Sequence, residues 1–465
     1  MNKSDVPLKF NLTEFLTIHK YRDGMEALVW TLLSIPVLMV MLTGGWVEGL
    51  NFNDPVSMLK LVSRLSGLYA SNLILIQLIV ISRNPFLNYL YGHDKLTVFH
   101  KKLGKPVYVL LVVHFLAVIF EYVIQQNKTF VEEFLALFKT QDLAFSVIAF
   151  GLITLVIVTS LNTVRKHLPY EVWYVTHILV YAAVLISFPH QINFGTDLKN
   201  SWLALGYWWG LYFVVLAFLI VFRFAKPLYT SLRHQLVVDH IVQETPNVVS
   251  IYLKGRKLDK LEQHAGQFYM WRFLTLKTFI QTNPFSLSSA PNENYMRITV
   301  SNLGGGSKAI QKVKVGTRVM VDGPYGIFTA NRRLFKDVTL IAAGVGITPV
   351  RGLVEALPAD AGDLTVIYRG NDLDVMPLID ELKGFVESKG VNLHLSVGPR
   401  GFYSSWLSVE DSPKNNTADL LRIAPNVAYS DVYVCGPVAW SNSVKKTLLD
   451  AGVSKDQIHI EEFAW

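Results

Sequence analysis

Cysteine is almost absent from this chain. Cys435 is the only one in 465 residues, which excludes an intrachain disulfide framework, cysteine-ligated iron–sulfur clusters and thiolate zinc sites. The first 20 residues lack the apolar core of a cleaved signal, so none is expected. Charge is also scarce, at 17% of residues, and the net charge of +7 calls for no nucleic-acid partner because its basic residues mostly flank apolar blocks. What the chain has is hydrophobicity: 51% of residues are apolar, 12% are aromatic, and the mean hydropathy is +0.32. That is too apolar for an ordinary soluble protein and too polar for an all-membrane one. The imbalance is regional, with residues 27–224 dominated by apolar blocks and 230–465 reading as soluble sequence.

The blocks at 27–47, 58–82, 96–124, 143–165, 170–192 and 202–224 each approach the roughly 20 residues a helix needs to cross a bilayer. Residues 8–22 read as an interfacial segment or a disordered tail. Lys3, Lys9, Lys20 and Arg22 precede span 1, and Arg83, Lys95, Lys101, Lys102 and Lys105 cluster between spans 2 and 3. Arg165 and Lys166 separate spans 4 and 5, while Arg223, Lys226 and Arg233 follow span 6. By the positive-inside rule, both termini are expected in the cytoplasm of a multi-pass cell-membrane protein.

Four histidines lie inside these spans: His100 and His114 in span 3, His177 and His190 in span 5. An ionisable side chain in hydrocarbon is costly, so ligation of haem or metal, proton relay and helix contact are the candidate reasons for each. A lone membrane histidine is more often a helix–helix contact, but two pairs of matched spacing favour ligation. Steps of 14 and 13 residues separate the rings by about 20 Å, within a core about 30 Å thick. Spans 3 and 5 run the same way, so His100 is expected to pair with His177 and His114 with His190, a ladder for two stacked bis-histidine haems. A 13-residue step misses the same helix face by about 140°. Span 5 is therefore expected to be distorted before His190, by Pro189 or a π-bulge. His19, His93, His167, His234, His240, His264, His394 and His459 read as ordinary surface or core residues.

After Pro227 short strands appear at 235–241, 248–253, 267–271, 296–301 and 318–321, suggesting a small antiparallel barrel. Within it lies Asn283-Pro284-Phe285-Ser286-Leu287-Ser288-Ser289-Ala290-Pro291, followed by Gly304-Gly305-Gly306-Ser307 opening a helix. Glycines at such a point let backbone amides approach a diphosphate, although taken alone such a turn is more often a plain loop. From 338 the chain turns to βα units. Val338–Ala342 is a strand, followed by Ala343-Gly344-Val345-Gly346-Ile347-Thr348-Pro349 and a helix from Val350. A strand, a Gly-x-Gly turn and a helix are the setting in which glycines cradle a pyrophosphate, though the full GxGxxG is missing. Leu364–Tyr368 ends at Arg369, a cation placed to meet a 2′-phosphate. Asp431–Val434 runs into Cys435-Gly436-Pro437, and the chain closes on Trp465.

With these residues in view, the chain resembles the ferric reductase/NADPH oxidase superfamily from span 1 to Trp465, in its short bacterial form. The resemblance implies a membrane all-α six-helix bundle (27–226) after an N-terminal segment (1–26), then an antiparallel FAD-binding β-barrel (227–333) and an α/β NADPH-binding domain (334–465). It implies two b-type haems on His100/His177 and His114/His190, with Arg64 near the outer one. It implies FAD held by Phe285, Ser286, Ser288, Gly305, Gly306 and Ser307. NADPH would lie at Gly344, Gly346, Thr348, Pro349 and Arg369, with Cys435, Gly436 and Pro437 beside the nicotinamide and Trp465 over the flavin. Arg64, Cys435 and Trp465 are the expected catalytic residues. Two positions depart from the family pattern. Asn283 stands where His or Arg is usual, removing a cation near the FAD phosphates. Val118 stands one turn after His114, where the oxidases commonly carry another histidine.

The implied activity takes electrons from NADPH through FAD and the haems to an acceptor across the membrane. That acceptor is oxygen, giving superoxide, or a ferric chelate. No EF-hand-like repeat precedes span 1, so calcium control is not expected. Two other classes compete. A six-span channel or transporter with a regulatory domain explains the spans but not the paired histidines. A quinone-linked cytochrome b needs no nicotinamide site.

Overall fold

The computed structural model describes residues 12–49, 51, 53–358, 363–401, 405–412 and 415–462. The chain divides into two compact units. One comprises residues 21–87 and 93–224, and the other 225–462 together with 12–20 and 88–92.

The first unit is helical. Its long elements are α1 (Leu12–Leu42), α2 (Pro55–Val80), α3 (His93–Gln126), α4 (Gln141–Ser160), α5 (Tyr170–Phe194) and α6 (Trp202–Phe218), with a seven-residue π-helical stretch at Leu219–Ala225 after α6. The first five, and the continuous helical run Trp202–His234 that α6 begins, are long and apolar enough to cross a membrane. The segment 12–22, expected as interfacial or disordered, is continuous helix with span 1. Local signals start two helices. Asp54 accepts from the amides of Val56 and Ser57 with Pro55 at the first turn of α2, and Ser201 accepts from the Ala204 amide at α6.

In five of the six spans only 11–22% of the most apolar window is enclosed by protein, against 44% for α2. α2 is therefore the most enclosed helix; its buried positions run from small or polar residues (Ser63, Ser66, Ala70 and Asn72) in the first part to Leu75, Ile76, Gln77 and Leu78 in the last. Asn72 donates to the Leu32 carbonyl at 2.9 Å and accepts from the Tyr207 hydroxyl at 2.7 Å, tying α1, α2 and α6 together. Small residues let helices approach where lipid offers no hydrophobic drive to associate, and polar groups then bond across them.

The second unit opens with α7 (Lys226–His234), followed by β1 (Val237–Thr245), β2 (Val248–Lys254), β3 (Phe268–Phe273), β4 (Asn283–Ser286), β5 (Met296–Ser301), α8 (Gly305–Ile310) and β6 (Val319–Tyr325). These strands form two three-stranded antiparallel sheets, β1-β2-β5 and β4-β3-β6. Isolated bridges at Val237–Arg318 and Leu287–Ile298 join them at corners, so the expected barrel is a pair of linked sheets rather than a closed ring. Their inner faces share a core around Ile251, Leu253, Trp271, Phe273, Ile298 and Val300. Each such side chain contributes about 1.5–3 kcal/mol by leaving water.

The remainder is a five-stranded parallel sheet of order β11-β10-β7-β8-β9, formed by β7 (Val338–Ala343), β8 (Leu364–Gly370), β9 (Asn392–Val397), β10 (Asp431–Gly436) and β11 (Ile458–Glu462). Helices α9 (Ile347–Ala356), α10 (Ile379–Lys389), α11 (Asn416–Ile423) and α12 (Val438–Asp450) alternate with the strands. Separate apolar clusters cover the two faces of the sheet, which is why its strands read as unbroken apolar runs.

Candidate functional site

α3 packs along α2, and α5 along α4, whereas α3 and α5 do not pack closely on each other. Across that separation the rings of His100 and His177 lie 6.1 Å apart, centre to centre, and nearly perpendicular at 77°. Two metal–nitrogen bonds of about 2 Å each, plus about 1 Å from nitrogen to ring centre on either side, require about 6 Å. The spacing therefore fits one iron held between two imidazoles. His114 and His190 are within electrostatic reach of each other at the second level.

Hydrogen counting fixes two tautomers. His114 Nδ1 lies 2.8 Å from the Ser63 carbonyl, which only accepts, so Nδ1 must carry the hydrogen. His177 Nδ1 lies 3.2 Å from Ser160 Oγ, whose one hydrogen is already donated to the Val156 carbonyl at 2.7 Å. Trp173 Nε1 also donates to that oxygen, at 3.2 Å. Ser160 is thus an acceptor for His177, and in both rings the Nε2 lone pair is left for a metal. Nδ1 of His100 is buried without a hydrogen-bond partner. The site also explains Gly67, where a Cβ would sit 2.6 Å from His114 Nδ1.

The π-bulge expected as one distortion of span 5 is absent. α5 is α-helical through Tyr170–Phe194 with Pro189 inside it, and the π-helical stretch lies after α6 instead. A 140° offset is no obstacle when two helices stand apart. Side chains about 70° to either side of the line between the axes both reach a partner, and same-face alignment is needed only in close packing.

Arg64 does not stand as an open cation. It makes a two-pronged ion pair with Asp197, with Nε to Oδ2 at 2.8 Å and Nη2 to Oδ1, and it also donates to Thr43 Oγ1 at 3.0 Å. Both partners are buried, and a Cβ on Gly45 would collide with the guanidinium.

In the second unit the expected flavin residues converge. Ser286 Oγ and Asn283 Nδ2, on β4, are buried without hydrogen-bond partners, polar atoms of the kind a bound group satisfies. Trp271 Nε1 donates to the Phe285 carbonyl at 2.9 Å, holding the strand. A Cβ on Gly306 would lie 2.7 Å from Gln281 and 3.5 Å from Asn283, so the glycine turn sits against the start of β4. Ser307 Oγ accepts from the Leu303 amide at 2.9 Å, closing that turn. These residues fit a flavin and its diphosphate.

Gly344, Gly346, Thr348 and Pro349 form the β7–α9 turn. Gly344 has φ +55, and a Cβ on Gly346 would lie 2.2 Å from the Cys435 carbonyl, which brings Cys435 and Gly436 against the turn. Thr348 Oγ1 donates to the Val345 carbonyl at 2.7 Å, and Pro437 caps α12. A Cβ on Gly352 would meet the Leu287 and Ser289 carbonyls at 3.2 and 3.3 Å, so α9 lies directly on the flavin motif.

Two findings were beyond sequence reasoning. Arg369 folds inward and donates to the carbonyls of Gly370, Ser396 and Gly398; burial, then the nearby Arg400, pulls its guanidinium below the usual value. It is a strut at the ends of β8 and β9, its two Nη groups engaged by backbone carbonyls. The second is a carboxylate bridge. Glu381 on α10 receives Arg297 of β5 at 2.7 and 3.2 Å and Arg351 of α9 at 2.5 Å. Arg297 Nε also donates to Ser288 Oγ at 3.0 Å, linking the flavin motif to the dinucleotide domain. Trp465 lies outside the described residues.

Comparison with known proteins accords with this two-part organisation. Residues 66–188 match the family described as ferric reductase like transmembrane component, and residues 239–329 match an FAD-binding domain. Flavohemoprotein B of Dictyostelium discoideum is 26% identical over 255 residues, covering 49% of this chain and 59% of that protein. The ferredoxin reductase component of 3-ketosteroid-9-alpha-monooxygenase from Rhodococcus rhodochrous is 28% identical over 238 residues, covering 49% and 64%. The chain thus spans about six-tenths of these curated relatives. Among solved structures, the FAD/NAD binding domain of nitric oxide dioxygenase from Vibrio cholerae is 26% identical with a TM-score of 0.40, covering 50% of this chain and 98% of that one. A ferric reductase-like transmembrane component carried on membrane-length helices is thus followed, in one multi-pass chain, by a module that matches an FAD-binding domain.

Proposed function

We propose that this chain, whose two modules match the ferric reductase/NADPH oxidase superfamily, carries electrons from cytoplasmic NADPH through FAD and two b-type haems to an acceptor across the cell membrane. The acceptor is oxygen, giving superoxide, or a ferric chelate, and both termini lie in the cytoplasm. The observation that carries the reading is the His100–His177 pair, spaced 6.1 Å apart between two helices that do not pack closely.

His100 and His177 would hold the inner haem, and His114 and His190 the outer. Held by two imidazoles each, these irons would supply one-electron transfer without binding oxygen. Phe285, Ser286, Ser288, Gly305, Gly306 and Ser307 would hold FAD, with the Ser286 hydroxyl free to bond it. Gly344, Gly346, Thr348 and Pro349 would hold NADPH, with Cys435, Gly436 and Pro437 beside the nicotinamide. When bound, these groups would supply the conversion of one hydride's two electrons into single electrons and their passage through the bilayer. Arg64 enters this scheme as an oriented hydrogen-bond donor near the outer haem, its charge balanced by Asp197. Trp465 would cover the flavin, so Trp465→Ser should widen use of NADH as well as NADPH.

The deciding experiment is anaerobic addition of NADPH to the purified protein while the haem bands are followed. Reduction of two b-type haems is expected. Admitting oxygen or a ferric chelate then identifies which re-oxidises them, and superoxide dismutase tests for superoxide. A preparation with no b-type haem spectrum would refute the reading.

A further inference from the structure

The turn after β3 displays apolar side chains that the reductase core does not use. Across residues 274–280, Leu276 is fully exposed, and Phe279 and Ile280 are 57% and 49% exposed. Leu274 is exposed as well. The tip is held in shape by its own hydrogen bonds. Buried Thr278 donates its hydroxyl to the Phe273 carbonyl at 2.7 Å and shares a 2.8 Å bond with Thr275 Oγ1, and the Phe279 amide donates to the Thr275 carbonyl at 2.9 Å. A fixed turn that points four large apolar groups outward is built to meet something apolar.

Charge indicates what. Lys277 stands among these side chains, with Arg272 on the adjoining strand, and no aspartate or glutamate occurs from 263 to 292. α7 repeats the pattern. Leu228, Tyr229 and Leu232 are exposed, Lys226 and Arg233 flank them, and no acid occurs from 198 to 238. The two features share one scaffold. The Val321 amide of β6 donates to Ser231 Oγ of α7 at 3.2 Å, and the Leu274 amide donates to the Arg318 carbonyl just before β6. Ser231 lies in the last turn of Trp202–His234, the helical run that is the sixth candidate span. Apolar groups interleaved with cations and free of acids, tied to the end of that run, suit the headgroup–acyl boundary of an anionic membrane.

We propose that the 274–280 tip, together with the exposed face of α7, is a lipid-contacting surface that seats the reductase module on anionic bilayer. The inference rests on the chain's being a multi-pass membrane protein and not on the identity of its electron acceptor.

The test uses the full-length protein in nanodiscs. Leu276→Cys is labelled with the fluorophore NBD, and Leu373→Cys, an exposed position on the dinucleotide domain, is the reference. The native Cys435 is buried, and unsubstituted protein carried through the same labelling measures its background. The label at 276 should be blue-shifted relative to 373 and quenched severalfold more by nitroxide-bearing lipid, with the difference growing when phosphatidylglycerol is included. Emission and quenching equal at the two positions would overturn the proposal. A blue shift without lipid quenching would overturn it too, assigning the surface to a protein partner or a second copy. Phe279→Cys repeats the measurement should the first variant fold poorly.

Discussion

Ser160 offers the sharpest test of the histidine ladder, because one hydroxyl sets the state of one ligand. Its hydrogen goes to the Val156 carbonyl, so its oxygen accepts from His177 Nδ1. Such a bond makes an imidazole a stronger donor to iron and favours the oxidised metal. Ser160→Ala removes it. A single hydrogen bond contributes about 1 kcal/mol net, and only the part that differs between the two oxidation states moves the potential. With about 59 mV per tenfold for one electron and about 1.4 kcal/mol per tenfold, half to all of that bond corresponds to about 20–40 mV. Redox titration of the haem bands should therefore show one midpoint rising by about that amount while the other stays put. Ser160→Thr, which restores the hydroxyl, should return the shifted midpoint toward its original value. Two unmoved midpoints in a Ser160→Ala protein with full haem content would refute the tautomer argument.

Three further outcomes are expected. Gly67→Ala should lower haem content from two toward one per chain, measured by pyridine haemochrome, since the new Cβ would lie 2.6 Å from His114 Nδ1 and overpacking costs about 1–3 kcal/mol. Arg369→Ala should destabilise the β8–β9 end and weaken NADPH and NADH alike in steady-state assays; a selective loss of NADPH would restore a 2′-phosphate role for Arg369. Glu381→Gln should cost about 1–3 kcal/mol, less than a fully buried pair because the carboxylate is partly exposed, read as earlier flavin release on heating. Burial alone would raise the Glu381 carboxyl, but Arg297 and Arg351 outweigh it and hold the group below its usual range. Its contribution is then present above the unfolded value near about 4.3 and lost as pH falls through the lower folded value, so acid should narrow the gap between wild type and Glu381→Gln.

Much of this was legible in the residues. A span of some 20 apolar residues has few alternatives to a membrane helix, and the six expected blocks recur as six helices with ends shifted by up to about 15 residues. The pairing of His100 with His177 followed from charge bias and span direction alone. Side-chain direction was not legible. Arg369 stands at a strand end, as expected of a phosphate-facing cation, yet Gly370 and Gly398 offer carbonyls that fold it back. Asp197 lies 133 residues from Arg64, and Ser160 lies 17 from His177 on another helix, so no local pattern announces either partner. The expected π-bulge in α5 came from assuming close packing between α3 and α5, which the bundle does not have.

The unequal enclosure of the six spans bears on how this sequence drifts over time. Along five of them an exchange among Leu, Ile, Val and Phe mostly alters a surface that any apolar side chain satisfies. On α2 a random change meets an enclosed position at least twice as often, and five of its eight buried residues, Ser63, Ser66, Ala70, Asn72 and Gln77, are small or polar, which an apolar exchange does not satisfy. A saturation mutagenesis scan should therefore find tolerance distributed by helix rather than by hydrophobicity. The second span, the least apolar of the six, should be the slowest to change.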